Sequence, residues 1–220
     1  KRLSPDIRKV YDNIISEQLS RGFIERVDDD DNNSGHYIPH HAVYKDSTTT
    51  PIRIVYDCSC RGDGPSLNDC LDAGPCMIND LVQIIIRFRL HKIAFTSDIE
   101  KAFLNIRLDE NDRMYTKFLW LSNPDDPESP FFVYQFKAVL FGSVSSPFML
   151  NAVIKTLLEQ EPNSITEDLL HNIYVDNVVS GVNNEKDAVT YYNESIDVLK
   201  KAGFKLRSWN TNSEELDRKS

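Results

Sequence analysis

The stretch that most constrains the fold is HNIYVDNVVSGV, residues 171–182, in which β-prone apolar residues flank the pair Asp176–Asn177. Short polar residues between two β-prone runs are typical of a tight hairpin turn, because Asp and Asn side chains bond to the nearby backbone and tolerate unusual dihedral angles. The stretch therefore predicts an antiparallel hairpin. Two interpretations of Asp176 remain open: it is a simple turn residue, or the turn holds its carboxylate out of the sheet for chemistry.

The other elements are predicted from hydrophobic periodicity and from helix start and stop signals. In chain order they are a helix capped by Ser4, with Pro5 in its first turn and Gly22 at its end, strands at 37–45 and 52–57, a helix at 79–90 capped by Asn79, a strand at 92–98, a strand pair at 114–120 and 131–136, a helix beginning at Ser146 and Pro147, a helix at 186–204 ended by Gly203, and a strand at 205–210. This order indicates an α+β fold, whose natural packing is an antiparallel sheet with helices on one face.

Charge and hydropathy restrict the function. No run of 18 apolar residues occurs, so the sequence predicts no membrane-spanning helix and no membrane partner. The net charge of −9 disfavours nucleic acid as a partner, because phosphate contacts need Lys and Arg. Basic residues nevertheless cluster at 87–92 and 199–207, which predicts a local basic channel. The beginning of the chain has neither an initiator Met nor a signal-peptide core and indicates a piece of a longer polypeptide.

Four cysteines, Cys58, Cys60, Cys70 and Cys76, lie close together in the sequence. A zinc site would favour paired CxxC spacings, but one, nine and five residues separate these cysteines. Ordinary reduced thiols are therefore favoured over a zinc site or a disulfide framework.

Two acids occupy similar places in the predicted elements. Asp98 ends the apolar strand KIAFTS, and Asp176 lies in the hairpin turn. Each has an ordinary explanation, since Asp at a strand end is often a helix cap. Together, at the same end of one sheet, they could hold divalent metal ions, because hard oxygen ligands suit Mg²⁺.

The segments around these acids resemble the palm motifs of reverse transcriptases. AFTSDIEKAFLNIRL is similar to the first motif, VLFGSVSSPFMLN to the second, and IYVDN to the third, whose pattern is Y-x-D-D. YKDSTTTPIRIVYDCS and SLNDCL resemble the fingers hairpin and the segment after it, and GFKLRSWN resembles the strand after the third motif. FTSDIEKAFLNI and the pattern F-x-L-x-x-W are most similar to the Pol polyprotein of BEL/Pao-type LTR retrotransposons. The resemblance covers nearly all of residues 1–212.

The resemblance implies a metal site for template-directed transfer of deoxynucleotides from a dNTP to a primer 3′-OH. Asp98 and Asp176 would hold two Mg²⁺ or Mn²⁺ ions roughly 3.5–4 Å apart. The carbonyl of Ile99 would complete one metal shell, and Asn177 stands where the family has its second acid.

The resemblance also implies a nucleotide site. Lys45 and Arg53 would grip the triphosphate, and Phe141 and Gly142 would border the incoming base and sugar. Phe103 matches the steric gate that excludes a 2′-OH. Two alternatives stay open: Phe103 is a plain core residue, and Lys45 is a solvated loop lysine.

Primer contacts are implied for the third motif and the strand after it. Tyr174 would pack beside the primer terminus, and Trp209 would lie near the primer-gripping strand. The family is expected to have a basic residue before this Trp, but the sequence has Ser208. Lys205 is therefore the candidate general acid for the pyrophosphate, because Arg207 titrates too high to serve well.

Asn177 is the main departure from the family pattern. An amide oxygen can ligate a cation but brings no charge, so the more loosely held ion should bind more weakly. The sequence therefore predicts strongly reduced polymerase activity. The alternative is a catalytically inactive retroelement-derived domain that binds nucleic acid or protein. An unrelated α+β domain with turn-forming acids would leave the ordered motifs unexplained.

The family's right-hand architecture implies three regions. Residues 1–90 would form a fingers-like segment with the start of the palm, residues 91–212 the palm, and residues 213–220 a polar tail, with thumb and RNase H missing from the chain. The implied partners are an RNA or DNA template–primer, dNTP, and the rest of the Pol polyprotein, including RNase H and integrase. The implied location is the cytoplasm, in retroelement virus-like particles.

Overall fold

The computed structural model describes residues 3–27, 35–44 and 52–219. The elements in chain order are helix α1 (Pro5–Ser20), strands β1 (Ile24–Val27), β2 (His40–Tyr44) and β3 (Ile52–Tyr56), helices α2 (Leu67–Cys70) and α3 (Leu81–Phe88), strand β4 (Ile93–Ile99), 3₁₀ segments Ala102–Asn105 and Glu110–Thr116, strands β5 (Lys117–Leu121) and β6 (Phe131–Phe136), helices α4 (Ser146–Gln160) and α5 (Ser164–Asn172), strands β7 (Ile173–Tyr174) and β8 (Asn177–Val182), helix α6 (Glu185–Lys201), strand β9 (Leu206–Thr211) and helix α7 (Glu214–Asp217).

The chain forms two compact units, and neither is continuous in sequence. Unit 1 contains Lys1–Ala73 and Ile106–Ser146, and unit 2 contains Gly74–Asn105 and Pro147–Ser220. These bounds differ from the predicted division at residue 90, because 106–146 belongs with the first part of the chain. The naming of the parts as fingers and palm stays a prediction.

Unit 1 contains a three-stranded antiparallel sheet in the order β1-β6-β5 and the separate hairpin β2–β3. Helix α1 begins as predicted, since the Ser4 hydroxyl accepts a hydrogen bond from the Ile7 N–H and Pro5 lies in the first turn. The helix buries Tyr11 and Ile15. An aromatic cluster completes the core of the unit, with Tyr56, Phe118 and Phe136 in edge or tilted contact.

Unit 2 contains a four-stranded antiparallel sheet in the order β7-β8-β4-β9. Strand β4 alternates buried and half-buried residues and places Phe95 against Tyr191 of α6, with ring centroids 4.6 Å apart. Helices α3, α5 and α6 all contact β8. Antiparallel sheets with packed helices confirm the predicted α+β class.

Several details of the predicted elements were wrong or missed. Helix α3 is capped by Asp80, whose carboxylate accepts hydrogen bonds from Val82 N and Gln83 N, and not by Asn79. The Asn79 amide instead donates to the carbonyls of Leu170 and Ile173, both at 2.8 Å. Strand β1, helices α2, α5 and α7, and both 3₁₀ segments were not predicted. The Asn163–Thr166 capping box at the start of α5 is a signal that could have revealed that helix.

Cys58, Cys60, Cys70 and Cys76 form no disulfide with one another. Burial, helped by the nearby charge of Asp57, raises the pKa of the Cys58 thiol to about 11, so it is not a reactive thiolate at neutral pH. Within residues 3–27, 35–44 and 52–219, no helix is long and apolar enough to cross a membrane.

Candidate functional site

The strand register of unit 2 brings the two predicted acids to one end of the sheet. Asp98 on β4 lies directly opposite Asn177 on β8. The Ile99 N–H donates to the Asp176 carbonyl at 2.8 Å, which ties the backbone after Asp98 to the hairpin turn. Asp98, Ile99, Asp176 and Asn177 therefore form one cluster.

The hairpin turn differs by one residue from its predicted position. Tyr174 pairs with Asn177, so the two turn residues are Val175 and Asp176, and Asn177 is the first residue of β8. Val175 has φ +56°, a left-handed conformation that is unfavourable for a β-branched residue. A positive φ at the first turn position alone is typical of a type II′ turn, in which this position is usually Gly. The turn that carries Asp176 is therefore strained.

We expect Val175→Gly to raise the free energy of unfolding by about 1 kcal/mol, because Gly adopts this φ without strain. Chemical denaturation monitored by circular dichroism measures the change. Val179→Gly is the matched control, since Val179 lies within β8 and its replacement should lower stability. If both variants lost stability equally, the strain at Val175 would be too small to matter.

The two carboxylates influence each other. Burial raises the pKa of Asp176, a backbone hydrogen bond acts in the opposite direction, and the negative charge of Asp98 raises it further. The Asn177 amide donates to Asp176 Oδ1 at 2.9 Å. Asn177 therefore forms a hydrogen bond to Asp176, whereas an acid at this position would add a third negative charge to the cluster.

A basic side chain contacts the other acid. Arg207 on β9 lies opposite Asp98 in the sheet, and its Nε donates to Asp98 Oδ2 at 2.9 Å. Lys205, the candidate general acid, lies with its Nζ 3.3 Å from Glu100 Oε2. Sequence reasoning considered Arg207 only as a poor proton donor and missed its contact with Asp98.

The residues predicted to contact the primer lie on β7 and β9. Tyr174 is half-buried and pairs with Asn177. The Trp209 ring packs against Tyr192, at 4.9 Å between centroids, and against Phe95, at 5.9 Å. Its buried Nε1 has no hydrogen-bond partner within the described part of the chain. The primer roles of Tyr174 and Trp209 stay predictions.

Phe103 lies in the 3₁₀ segment after β4, and only 5% of its surface is exposed. This burial fits the core interpretation and leaves the predicted steric gate untested. Lys45 lies outside the described residues. Arg53 is exposed on β3, opposite Val43.

The loop of Phe141 and Gly142 in unit 1 passes close to the backbone of β3. Phe141 is 53% exposed, and Gly142 has φ +100°. A Cβ at position 142 would lie 3.0 Å from the Tyr56 carbonyl, so the close backbone approach favours Gly at this position. The neighbouring backbone is β3, which carries Arg53.

Asn68 holds the same loop. The segment SLNDCL carries part of the family resemblance, but the sequence did not predict Asn68 as a site residue. Its Nδ2 donates to the Gly142 carbonyl at 2.9 Å, and its Oδ1 accepts from the Val144 N–H at 2.8 Å. One side chain thus satisfies a donor and an acceptor of the loop, a pairing for which an amide is suited.

The donor set at the sheet end fits a hard divalent cation such as Mg²⁺, since it offers the oxygens of two carboxylates and one amide. It is poor in charge, however, because Asn177 is neutral. Among residues 3–27, 35–44 and 52–219, no three His, Cys, Asp or Glu side chains form a group that could hold a metal ion.

A family model described as "Reverse transcriptase (RNA-dependent DNA polymerase)" matches residues 64–210, more than half of the chain. The chain belongs to the reverse transcriptase family. The match includes every motif from the Asn68 segment to β9, and so includes Asp98, Asp176 and Arg207. No curated protein sequence matches the chain significantly.

Solved structures of reverse transcriptases share the fold. The protease–reverse transcriptase of prototype foamy virus, as a selenomethionine-labelled mutant, is 18% identical, with a TM-score of 0.71 over 94% of this chain and 24% of that chain. A foamy viral protease–reverse transcriptase with an RNA/DNA hybrid is 15% identical, with a TM-score of 0.69 over 94% and 24%. A third, with double-stranded DNA, is 16% identical, with a TM-score of 0.69 over 90% and 30%.

These structures confirm the predicted polymerase fold. The chain spans about a quarter to a third of the length of the solved proteins that it resembles. Their identity to it is low, so the likeness concerns the fold alone.

Proposed function

We propose that the chain is the polymerase part of a retroelement reverse transcriptase, that it binds an RNA or DNA template–primer, and that its transfer of deoxynucleotides to the primer 3′-OH is slowed by Asn177. The observation that carries the proposal is the register of β4 and β8, which sets Asp98 opposite Asn177 and beside Asp176. The family match supports the reaction class, and solved relatives with RNA/DNA hybrid or double-stranded DNA support the partner.

In this reaction the primer 3′-oxygen forms a bond to the α-phosphorus of the dNTP, and pyrophosphate leaves with its electron pair. Bound Mg²⁺ or Mn²⁺ ions, two in this family's mechanism, would supply Lewis-acid activation of the 3′-OH and positive charge for the leaving group. Asp98, Asp176 and the Ile99 carbonyl would hold these ions. Asn177 contributes an oxygen without charge, so the second ion would be weakly held.

Further assignments extend the proposal to the nucleotide. Arg53 and Lys45 would bind the triphosphate, Phe141 and Gly142 would border the base and sugar, and Phe103 would exclude the 2′-OH. Tyr174 and Trp209 would support the primer, and Lys205 would protonate the pyrophosphate. Lys205 would first have to leave Glu100, whose carboxylate lies 3.3 Å from its Nζ.

The origin proposed for the chain is a BEL/Pao-type Pol polyprotein, on the strength of its FTSDIEKAFLNI and F-x-L-x-x-W segments. RNase H and integrase of the same polyprotein would be its partners, in cytoplasmic virus-like particles. A second candidate function is a catalytically inactive domain that binds nucleic acid or protein. Asn177 favours this alternative, since it removes half of the family's acid pair.

Single-nucleotide incorporation on an RNA template with a DNA primer tests the proposal. We expect slow incorporation by the natural chain in Mn²⁺ and none by Asp98→Asn, because this variant loses the charge of a metal-binding carboxylate. Template–primer binding, measured by fluorescence anisotropy, should be similar in both chains. Equal incorporation by both would refute the assigned site, and binding without any incorporation would favour the inactive alternative.

A further inference from the structure

We propose that Arg207 is an internal cation of this site, which holds the Asp98 carboxylate in the cation-free chain and competes with a divalent ion for it. The inference rests on the metal-binding role proposed for Asp98. It adds an inhibitory contact that the family's motifs do not predict from the sequence.

The first observation is the contact itself. Arg207 Nε lies 2.9 Å from Asp98 Oδ2, so a charge-assisted hydrogen bond occupies one of the two oxygens of this carboxylate. Only 26% of the Asp98 side chain is exposed, against 49% of the Arg207 side chain. About a quarter of the Asp98 side chain is therefore open to solvent, so a cation would share a limited surface with the guanidinium.

The second observation is a β-bulge that places Arg207 opposite Asp98. Thr96 pairs with Asn210, but Asp98, two residues later, pairs with Arg207, three residues earlier. Strand β9 therefore contains one extra residue here, and Ser208 adopts φ +53° within this bulge. Without the extra residue, Ser208 would lie opposite Asp98. Bulges next to functional sites re-aim side chains in this way.

The bulge is held by a further hydrogen bond. The Ser97 hydroxyl donates to the Arg207 carbonyl at 2.8 Å. Ser97 is 3% exposed, so the donor side of this partly buried bond is shielded from water. The backbone of Arg207 is thereby fixed beside Asp98, and the guanidinium starts from a position next to the carboxylate.

The third observation is the charge balance. Asp98 and Asp176 contribute two negative charges and Arg207 one positive charge, while Asn177 is neutral. The net charge of these four side chains is therefore −1. Lys205 and Glu100 form their own ion pair and add no net charge. A divalent ion at Asp98 must either remain near the guanidinium or displace it, and each choice weakens its binding. For such a half-exposed pair we expect an effect of about tenfold in affinity.

Titration with Mn²⁺, followed by the electron paramagnetic resonance of the free ion, tests the inference without polymerisation. We expect Arg207→Gln to bind Mn²⁺ about tenfold more tightly than the natural chain. Arg207→Lys retains the charge and should bind as the natural chain does. Arg207→Gln combined with Asp98→Asn should lose the gain, which would assign it to Asp98.

Arg218→Gln is the matched control for net charge, because Arg218 is an exposed arginine on the end of α7 that pairs only with Glu214 among the ion pairs observed. It should leave Mn²⁺ affinity unchanged. Arg207→Met, which keeps the apolar stem, replaces the Gln variant if that variant fails to fold by circular dichroism.

The outcomes separate this inference from the proposed function. Unchanged Mn²⁺ affinity in Arg207→Gln, together with loss of binding in Asp98→Asn, would overturn the role of Arg207 and leave the metal site standing. A gain that persists in the double variant would also overturn it. Equal Mn²⁺ affinity in the natural chain, Asp98→Asn and Asp176→Asn would overturn the metal site itself.

Discussion

Replacing Asn177 by Asp should raise the rate of single-nucleotide incorporation in Mg²⁺ by about 100-fold or more, since one charged metal ligand is worth several kcal/mol to a reaction of this class. Asn177 lies opposite Asp98 and donates to Asp176, so a carboxylate at this position would join both acids at the sheet end. The measurement is primer extension on an RNA template at saturating dNTP.

The same variant should have a lower free energy of unfolding in the absence of divalent cations. Burial and the charge of Asp98 already raise the pKa of Asp176, which means that ionised Asp176 is unfavourable in the folded chain. A third carboxylate adds repulsion, so Asn177→Asp should unfold at lower denaturant concentration in a chelator and recover in Mg²⁺.

Asn183→Asp is the control for both measurements, because it introduces the same charge at an exposed residue just beyond the other end of β8. It should change neither the incorporation rate nor the effect of Mg²⁺ on stability. If Asn177→Asp were as inactive as the natural chain while still gaining stability from Mg²⁺, the low activity would have a cause other than the missing acid.

Replacing Asp168 by Ala should lower the free energy of unfolding by about 4 kcal/mol. Asp168 Oδ2 accepts hydrogen bonds from Ser180 Oγ at 2.6 Å and from the Tyr191 hydroxyl at 2.8 Å, and Oδ1 accepts from Asn172 Nδ2 at 2.7 Å. The three donor residues are almost fully buried. Removing the carboxylate therefore leaves three interior donors without partners, which costs more than the loss of one exposed hydrogen bond.

The network around Asp168 also connects the elements behind the site. Ser180 lies on β8, Tyr191 on α6 and Asn172 at the end of α5, and Asn172 Oδ1 accepts in turn from Arg87 Nε of α3 at 2.8 Å. Strand β8 also carries Asn177. We therefore expect Asp168→Ala to weaken Mn²⁺ binding at Asp98 and Asp176 in addition to destabilising unit 2.

Two variants calibrate this result by denaturant unfolding. Asp197→Ala removes an exposed carboxylate from α6 and should change stability by less than about 0.5 kcal/mol. Tyr191→Phe removes one donor and leaves Asp168 with two, so it should cost about 1 kcal/mol. An Asp168→Ala variant no less stable than Tyr191→Phe would mean that the network contributes little beyond a single hydrogen bond.

The positions of the two acids of the candidate site could be predicted where local chemistry determines them. The periodicity of KIAFTSD and the turn residues of IYVDNVV placed Asp98 and Asp176 near strand ends without knowledge of the pairing. The start of α1 followed from Ser4 and Pro5, because a capping side chain and a proline in the first turn act within four residues.

The contacts that depend on strand register were beyond sequence reasoning. Arg207 meets Asp98 only because β9 contains one extra residue at Ser208, and nothing in KLRSWN indicates a bulge. Asn79 and Asp80 are both good helix caps. Asp80 caps α3, because the Asn79 amide donates to the carbonyls of Leu170 and Ile173, which lie far away in the sequence. In the sequence, nothing distinguishes Asp168 from an acid on an exposed helix. Its bonds to Ser180 and Tyr191 form only when α5 packs beside β8 and α6.

The order β7-β8-β4-β9 also governs when the site can form on a ribosome. Strand β4 is the first strand of its sheet to be synthesised, and its neighbours β8 and β9 follow about 80 and 110 residues later. At ordinary translation rates of about 5–20 residues per second, the nascent chain carries β4 with both edges unpaired for roughly 4–16 s before β8 is made, and with one edge unpaired for roughly 1.5–6 s more before β9 is made. Unpaired strand edges are templates for aggregation, so chaperone protection during this interval would determine how much of the chain matures.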